Sequence, residues 1–258
     1  MRKQLSANFH RLWKCRSFWL FLGGMLCLAS VFMIMQYTAM DYTVPLSRVI
    51  FLPLSLYGIA AAAFVSVFVG TDFSDGFIRN KILSAHSRNH VVIAHLITSC
   101  TGCVLVYLAV TFFSLGVGAF FFDKDVTTNS FILFLFLGIG MSIAYGTIFC
   151  VTTLLCGNKT QAIIWCMMAA MLMLFLSLHT NQILIQTKFK DGVLNPHYTE
   201  GMKRIIYGIL HDINPCGQAA QLTTWSYFEP IRGLLCNILW ILVGTYLGCQ
   251  LFKKKDIK

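Results

Sequence analysis

Polar and apolar positions fall into long blocks along this chain. Six apolar runs stand out, at about Phe18–Tyr37, Val49–Gly70, Val91–Phe122, Phe131–Cys156, Ala162–Leu184 and Gly233–Phe252. A helix of about 20 apolar residues crosses roughly 30 Å of hydrocarbon, so each run predicts a membrane span. The third run is long enough to extend beyond the bilayer. The fourth and fifth are separated only by Gly157–Gln161, which predicts a tight helical hairpin. The fold class expected is all-α: a polytopic membrane protein with six transmembrane helices in a single domain over residues 1–258. The first run follows a charged stretch, as in a signal peptide. It is too long for a signal core and ends in no clean small-residue cleavage site, so it reads as a retained span.

Helical spacing appears in the polar segments between the runs. Leu5, Phe9, Leu12 and Trp13 share one face of residues 1–17, with Arg2, Lys3, Arg11 and Lys14 mostly off it. This predicts an amphipathic helix in the membrane interface, against the plainer reading of a charged flank that only sets topology. Between the fifth and sixth runs, Met202, Ile205, Ile206, Ile209 and Leu210 share a face over Thr199–His211. Thr199 is a candidate cap and Asn214-Pro215 a stop. This segment is too short and polar to span, and reads equally as a surface helix or a re-entrant one.

Composition strengthens the membrane reading. Hydrophobic residues make up 57% and charged residues 12%, with a mean hydropathy of +0.71. A soluble domain carries roughly 25% charged residues, so a soluble enzyme and a disordered chain are both excluded. The net charge of +10 could point to nucleic acid. The basic residues instead flank the apolar runs, so no nucleic-acid partner is expected. Most of the 20 Lys and Arg lie in 1–17, 71–90, 157–161 and 253–258, whereas the short loops on the other side carry only Arg48 and Lys124. The positive-inside rule then puts both termini in the cytoplasm of a cell-membrane protein.

The 71–90 segment is the one with a recognisable pattern. Asp72, Ser74 and Asp75 are candidate N-caps for a short helix from Phe77 to Leu83. Apolar Phe77, Ile78, Ile82 and Leu83 alternate with Arg79, Asn80 and Lys81, which suits either docking into a partner's groove or a solvated loop. The stretch Val69-Gly-Thr-Asp-Phe-Ser-Asp-Gly-Phe-Ile-Arg-Asn-Lys-Ile-Leu-Ser-Ala-His-Ser-Arg88 resembles the segment after the second span of ABC type-2 transporter permeases. Those proteins show an acidic residue, Phe, two residues, Gly, then Thr-Ile-Arg-Asn-Lys and a following Ser-Arg. This chain has Phe77 where the family has Thr. Asp212-Ile-Asn-Pro-Cys-Gly-Gln218 also resembles the family's outer segment.

The resemblance implies a membrane subunit of an ABC exporter. Asp72, Phe73, Asp75, Gly76, Phe77, Ile78, Arg79, Asn80 and Lys81 would form the coupling helix that contacts a separate ATPase subunit. ATP and Mg would be bound by that partner. The N-terminal helix would be the interfacial connecting helix, and the outer helices before the sixth span would be re-entrant. A second permease copy or a related permease would complete the pathway, in a bacterial plasma membrane. The substrate class implied is a hydrophobic or amphipathic peptide or drug. The alternative is an ATP-independent channel or a membrane scaffold.

Catalytic signals are weak. Gly157-Asn-Lys-Thr160 lacks the Gly-Lys-Thr and the upstream Gly of a phosphate-binding loop. His86, His90 and His95 lie near the inner end of the third run without an HExxH pattern, and read as polar residues there. Cys100-Thr-Gly-Cys103 sits inside an apolar run and reads as small-residue packing. Cys216 and Cys236 are the two thiols near the outer side, where a bridge is open but unsupported. No catalytic or metal-binding residue is expected. Ionisable residues are nearly absent from the spans, which weakens an ion-coupled transporter.

Overall fold

A peptide group in hydrocarbon has no water to bond, so an apolar run satisfies its own N–H and C=O groups by coiling. The computed structural model describes residues 2–40, 44–78, 81, 87–190, 193–196, 198–225 and 229–254. Helix α1 is Arg2–Lys14 and α2 is Arg16–Ala39, with a non-helical break at Cys15 between them. Then follow α3, Ser47–Ile50, a tighter 3-10 turn, Leu52–Leu56, and α4, Tyr57–Ser74. Helix α5 is Arg88–Phe121, α6 Thr128–Cys156 and α7 Lys159–Ile185. Two short helices, α8 at Met202–Ile213 and α9 at Pro215–Thr223, precede α10, Pro230–Lys254. Six stretches are long and apolar enough to cross a membrane: α2, α3–α4, α5, α6, α7 and α10. By length and composition this is a multi-pass transmembrane helical protein.

The second expected span is not one helix. Pro53 lacks a backbone N–H and its ring clashes with the carbonyl a turn earlier, so the chain passes it as a 3-10 turn. At the other end, α4 continues past Gly70 to Ser74. The expectation that Asp72, Ser74 and Asp75 cap a following helix is therefore corrected. Asp72 and Ser74 close α4, and Ser74 Oγ turns back to the Thr71 carbonyl at 3.1 Å. Gly76, at φ +69°, ends the helix in the left-handed region, and a new helical turn starts at Phe77.

The helices pack through aromatic stacks and close backbone approaches. Phe21 and Phe64 stack at 5.2 Å between α2 and α4, and Tyr57 donates to the Cys103 carbonyl at 2.6 Å. A Cβ built on Gly146 of α6 would stand 2.9 Å from Cys100 Cα of α5, so only glycine permits this crossing. The outward faces are apolar, with Leu172 and Phe175 on α7 and Leu242 and Tyr246 on α10 all exposed. Such faces suit lipid and not water.

Two expectations about polar segments change. In α1, Leu5 and Phe9 are half-buried and Leu12 is fully buried near Gly102 of α5, while Trp13 is exposed. The four residues therefore do not form one outward apolar face. After α7, an unforeseen hairpin pairs β1, Phe189–Lys190, with β2, Val193–Leu194. Helix α8 begins only at Met202, behind Gly201 at φ +66°, and Thr199 does not cap it.

Candidate functional site: a buried carboxylate at each end of the bundle

Among the described acidic residues only Asp72 and Asp212 are buried, each at 1% exposure. A buried carboxylate needs compensating charge and donors. Both have them: Asp72 draws on elements as far away in sequence as α1, and Asp212 on the two helices that follow it.

Asp72 lies in the last turn of α4, at the end of the bundle where α1 packs. One oxygen accepts from Arg11 of α1, which also donates to the Phe68 carbonyl and lies 4.4 Å over the Phe68 ring. The other oxygen is 2.5 Å from Lys81 Nζ and 3.2 Å from His95 Nε2 of α5. Lys81 Nζ also donates to Asn8 Oδ1 at 2.8 Å, and Gln4 Nε2 to the Lys81 carbonyl at 2.9 Å. One carboxylate thus ties together α1, α4, α5 and the Lys81 segment. Positive groups outnumber it. Burial lowers the Arg11 pKa. Burial, then the Arg11 charge, pulls the Lys81 ammonium down from 10.5 to about 7.

The coupling residues expected from the sequence divide into two sets. Asp72 and Ile78 (2% exposed) face inward, and Phe73 is half-buried against the core. Asp75, Gly76 and Phe77 (51% exposed) form the outer tip of the turn. Arg79 and Asn80 lie outside the described residues.

Asp212 closes α8 at the opposite end. Its carboxylate accepts from Arg232 Nε of α10 and, at 2.6 Å, from Gln221 Nε2 of α9. Gln218 Nε2 donates to its backbone carbonyl at 2.7 Å. Beside it, Thr180 Oγ1 and His211 Nδ1 are 2.7 Å apart. The α8–α9 turn is held deep along its neighbours. Asn214 Nδ2 donates to the Met173 carbonyl at 2.7 Å, and Trp240 Nε1 to the Ile213 carbonyl at 2.7 Å. At 1.5 Å per residue, Met173 lies about 18 Å along α7 from Ile185, and Trp240 about 15 Å along α10 from Pro230. The face of α8 packed on the protein carries Arg204, Tyr207, Gly208 and His211, whereas Met202, Ile205, Ile206, Ile209 and Leu210 point outward. This helix is polar inside and apolar outside.

Other expected features have simple surroundings. Cys100 Sγ is 3.5 Å from Thr147 Oγ1, and Cys103 is buried in the core. Cys216 and Cys236 are free thiols. His86 lies outside the described residues, His90 is half-buried, and His95 joins the Asp72 group. Among the described residues no group of three His, Cys, Asp or Glu could hold a metal ion.

Sequence reasoning missed both carboxylate networks. Their signal was present: Asp72 is the one acid in an otherwise apolar or hydroxylic stretch from Thr43 to Ser74 apart from Arg48, and Asp212 ends an amphipathic helix on its polar stripe. No protein-family model matches the chain, and no curated protein matches it.

Proposed function

We propose that this chain is the membrane-spanning permease subunit of an ATP-driven ABC exporter. The reading rests on the resemblance of Val69–Arg88 to the permease segment. The observation that carries it furthest is the Asp72 network. A push on the exposed Asp75–Phe77 tip reaches α1, α4 and α5 together, because Asp72, Arg11, Lys81 and His95 join them at one point. That is what a segment needs in order to pass motion from an ATPase into several membrane helices.

In this reading the basic end is cytoplasmic, following the positive-inside rule. Helix α1 lies at the cytoplasmic interface and residues 72–81 form the coupling segment. A separate ATPase subunit binds ATP and Mg. Helices α8 and α9 form a re-entrant hairpin from the outer side. The depth of the Asn214–Met173 bond supports this, as does the outward apolar face of α8, which fits hydrocarbon. A second permease copy completes the pathway, and the substrate is a hydrophobic or amphipathic peptide or drug, as the resemblance implies.

The test is co-purification with an ABC ATPase encoded beside this gene, comparing wild type with Phe77→Ala combined with Arg79→Ala. The expected result is loss of the ATPase, or ATP hydrolysis uncoupled from transport, with the permease still eluting as a folded species. Absence of any ATPase from the wild-type preparation would overturn the reading in favour of a channel or scaffold.

A further inference from the structure

Helices α2 and α4 diverge on the outer surface and leave a lateral groove of about 570 Å³. Its walls are Leu20, Phe21, Gly24 and Leu28 from α2 with Ala60 and Ala63 from α4 among others, and Ser17 is the one polar lining residue. Along α2 the groove runs from Ser17 to Leu28, about 16 Å at 1.5 Å per residue. That is about half of the roughly 30 Å hydrocarbon thickness, so the groove belongs to one leaflet, on the side of α1. A single acyl chain has this length.

The residues that precede the groove in sequence favour a particular headgroup. Lys14 and Arg16 flank it in sequence, both exposed, and neither forms an ion pair among the described residues. Helices α1 and α2 contain no acidic residue. Trp13 and Trp19 are exposed at 53% and 51%, and Trp19 Nε1 donates to the Trp13 carbonyl at 2.8 Å. Half-exposed tryptophans beside basic side chains mark headgroup level, and basic residues there attract anionic lipid. Arg11, a nearby half-buried cation, is already committed to Asp72.

We propose that this groove is a binding site for an anionic phospholipid of the leaflet on the α1 side. One acyl chain lies between α2 and α4, and the headgroup phosphate sits against Lys14 and Arg16. The site stands whether or not the chain is an exporter, because it needs only that α2 and α4 cross a membrane.

The protein is reconstituted in mixed phosphatidylcholine and phosphatidylglycerol vesicles, extracted in mild detergent, and its retained lipid is measured by native mass spectrometry. Three forms are compared: wild type, Lys14→Gln with Arg16→Gln, and Gly24→Leu with Ala63→Leu. A Cβ at Gly24 meets nothing within 4 Å and Ala63 is half-exposed, so the last pair fills the groove without disturbing the core. Wild type is expected to keep phosphatidylglycerol selectively. The charge variant loses that preference by about tenfold and still keeps lipid. The filled variant keeps neither lipid at this stoichiometry, while its elution volume and helical circular dichroism match wild type. Equal retention of the two lipids by wild type would overturn the proposal. So would unchanged lipid in the filled variant, or a filled variant that instead shifts from dimer to monomer, which would make the groove an interface between copies.

Discussion

The two buried carboxylates solve the same problem in opposite ways. Asp212 is matched by one guanidinium and an amide: Arg232 takes one oxygen and Gln221 the other, and Gln218 holds the backbone carbonyl. Arg232 is itself shared with the exposed Glu229 at 3.1 Å, so positive groups are not in excess here, and the amide donor fixes the carboxylate's direction. Asp72 instead faces Arg11 and Lys81 with His95 alongside, so positive groups are in excess. Burial, and then the neighbouring Arg11 charge, disfavours a second cation there, which is why Lys81 falls to about 7. Asp212 holds one arrangement, whereas Asp72 holds one that responds to charge. The responsive node lies beside the exposed Asp75–Phe77 tip, and the fixed node anchors the α8–α9 hairpin. The two ends of the bundle are thus held by chemically different nodes.

The sharpest way to break this contrast is to remove the Asp72 carboxylate. Asp72→Asn leaves Arg11 and Lys81 facing each other in a buried site without a counter-charge. The expected loss is about 3–5 kcal/mol, read as a large fall in melting temperature in detergent. Arg232→Met is expected to cost less, about 2–3 kcal/mol by the same assay, because Gln221 still donates to Asp212. If the two losses are equal, Asp212 depends on charge as much as Asp72 does and the contrast fails.

A subtler test is titration. The Lys81 pKa is lowered by folding, so between about pH 7 and 10.5 the unfolded chain holds more protons than the folded one. Stability should therefore rise with pH across that window, and Lys81→Met should flatten the rise. Acylation of Lys81, followed by mass spectrometry against pH, should show a midpoint near 7. Arg11→Gln removes one of the causes and should move that midpoint upward. An unmoved midpoint would mean that Arg11 does not act on Lys81. The smallest effect expected is for Asn214→Ala, which loses the bond to Met173 and the cap on Cys216 N. About 1–2 kcal/mol is expected, seen as faster hydrogen exchange in α9 with the Asp72 end unchanged.

Particular residues show where sequence reading succeeds. The helices at Thr128–Cys156 and Lys159–Ile185 end within a few residues of their expected limits, because hydropathy and the Gly157 turn act locally. The second span lies where its apolar run predicts, within Ser47–Ser74, but its helix is interrupted at Pro53, which has no N–H to give to the α-helical ladder. An aspartate after an apolar run reads as a cap because capping is its local role. The real role of Asp72 requires Arg11 and His95, which are brought to it only by the packing of α1 and α5. The face of α8 was found by periodicity, but its direction was not, since a helical stripe does not say what lies on either side of it.

Six apolar helices of spanning length are legible in the amino-acid pattern. Length against bilayer thickness and the cost of unpaired peptide groups account for them. Which polar side chains go inside is set by packing. In a chain this apolar, a buried charge is tolerated where distant elements converge to compensate it, and that convergence is a property of the packed bundle. Asp72 and Asp212 look alike as isolated acids in the sequence, and become different only through the partners that packing brings to them.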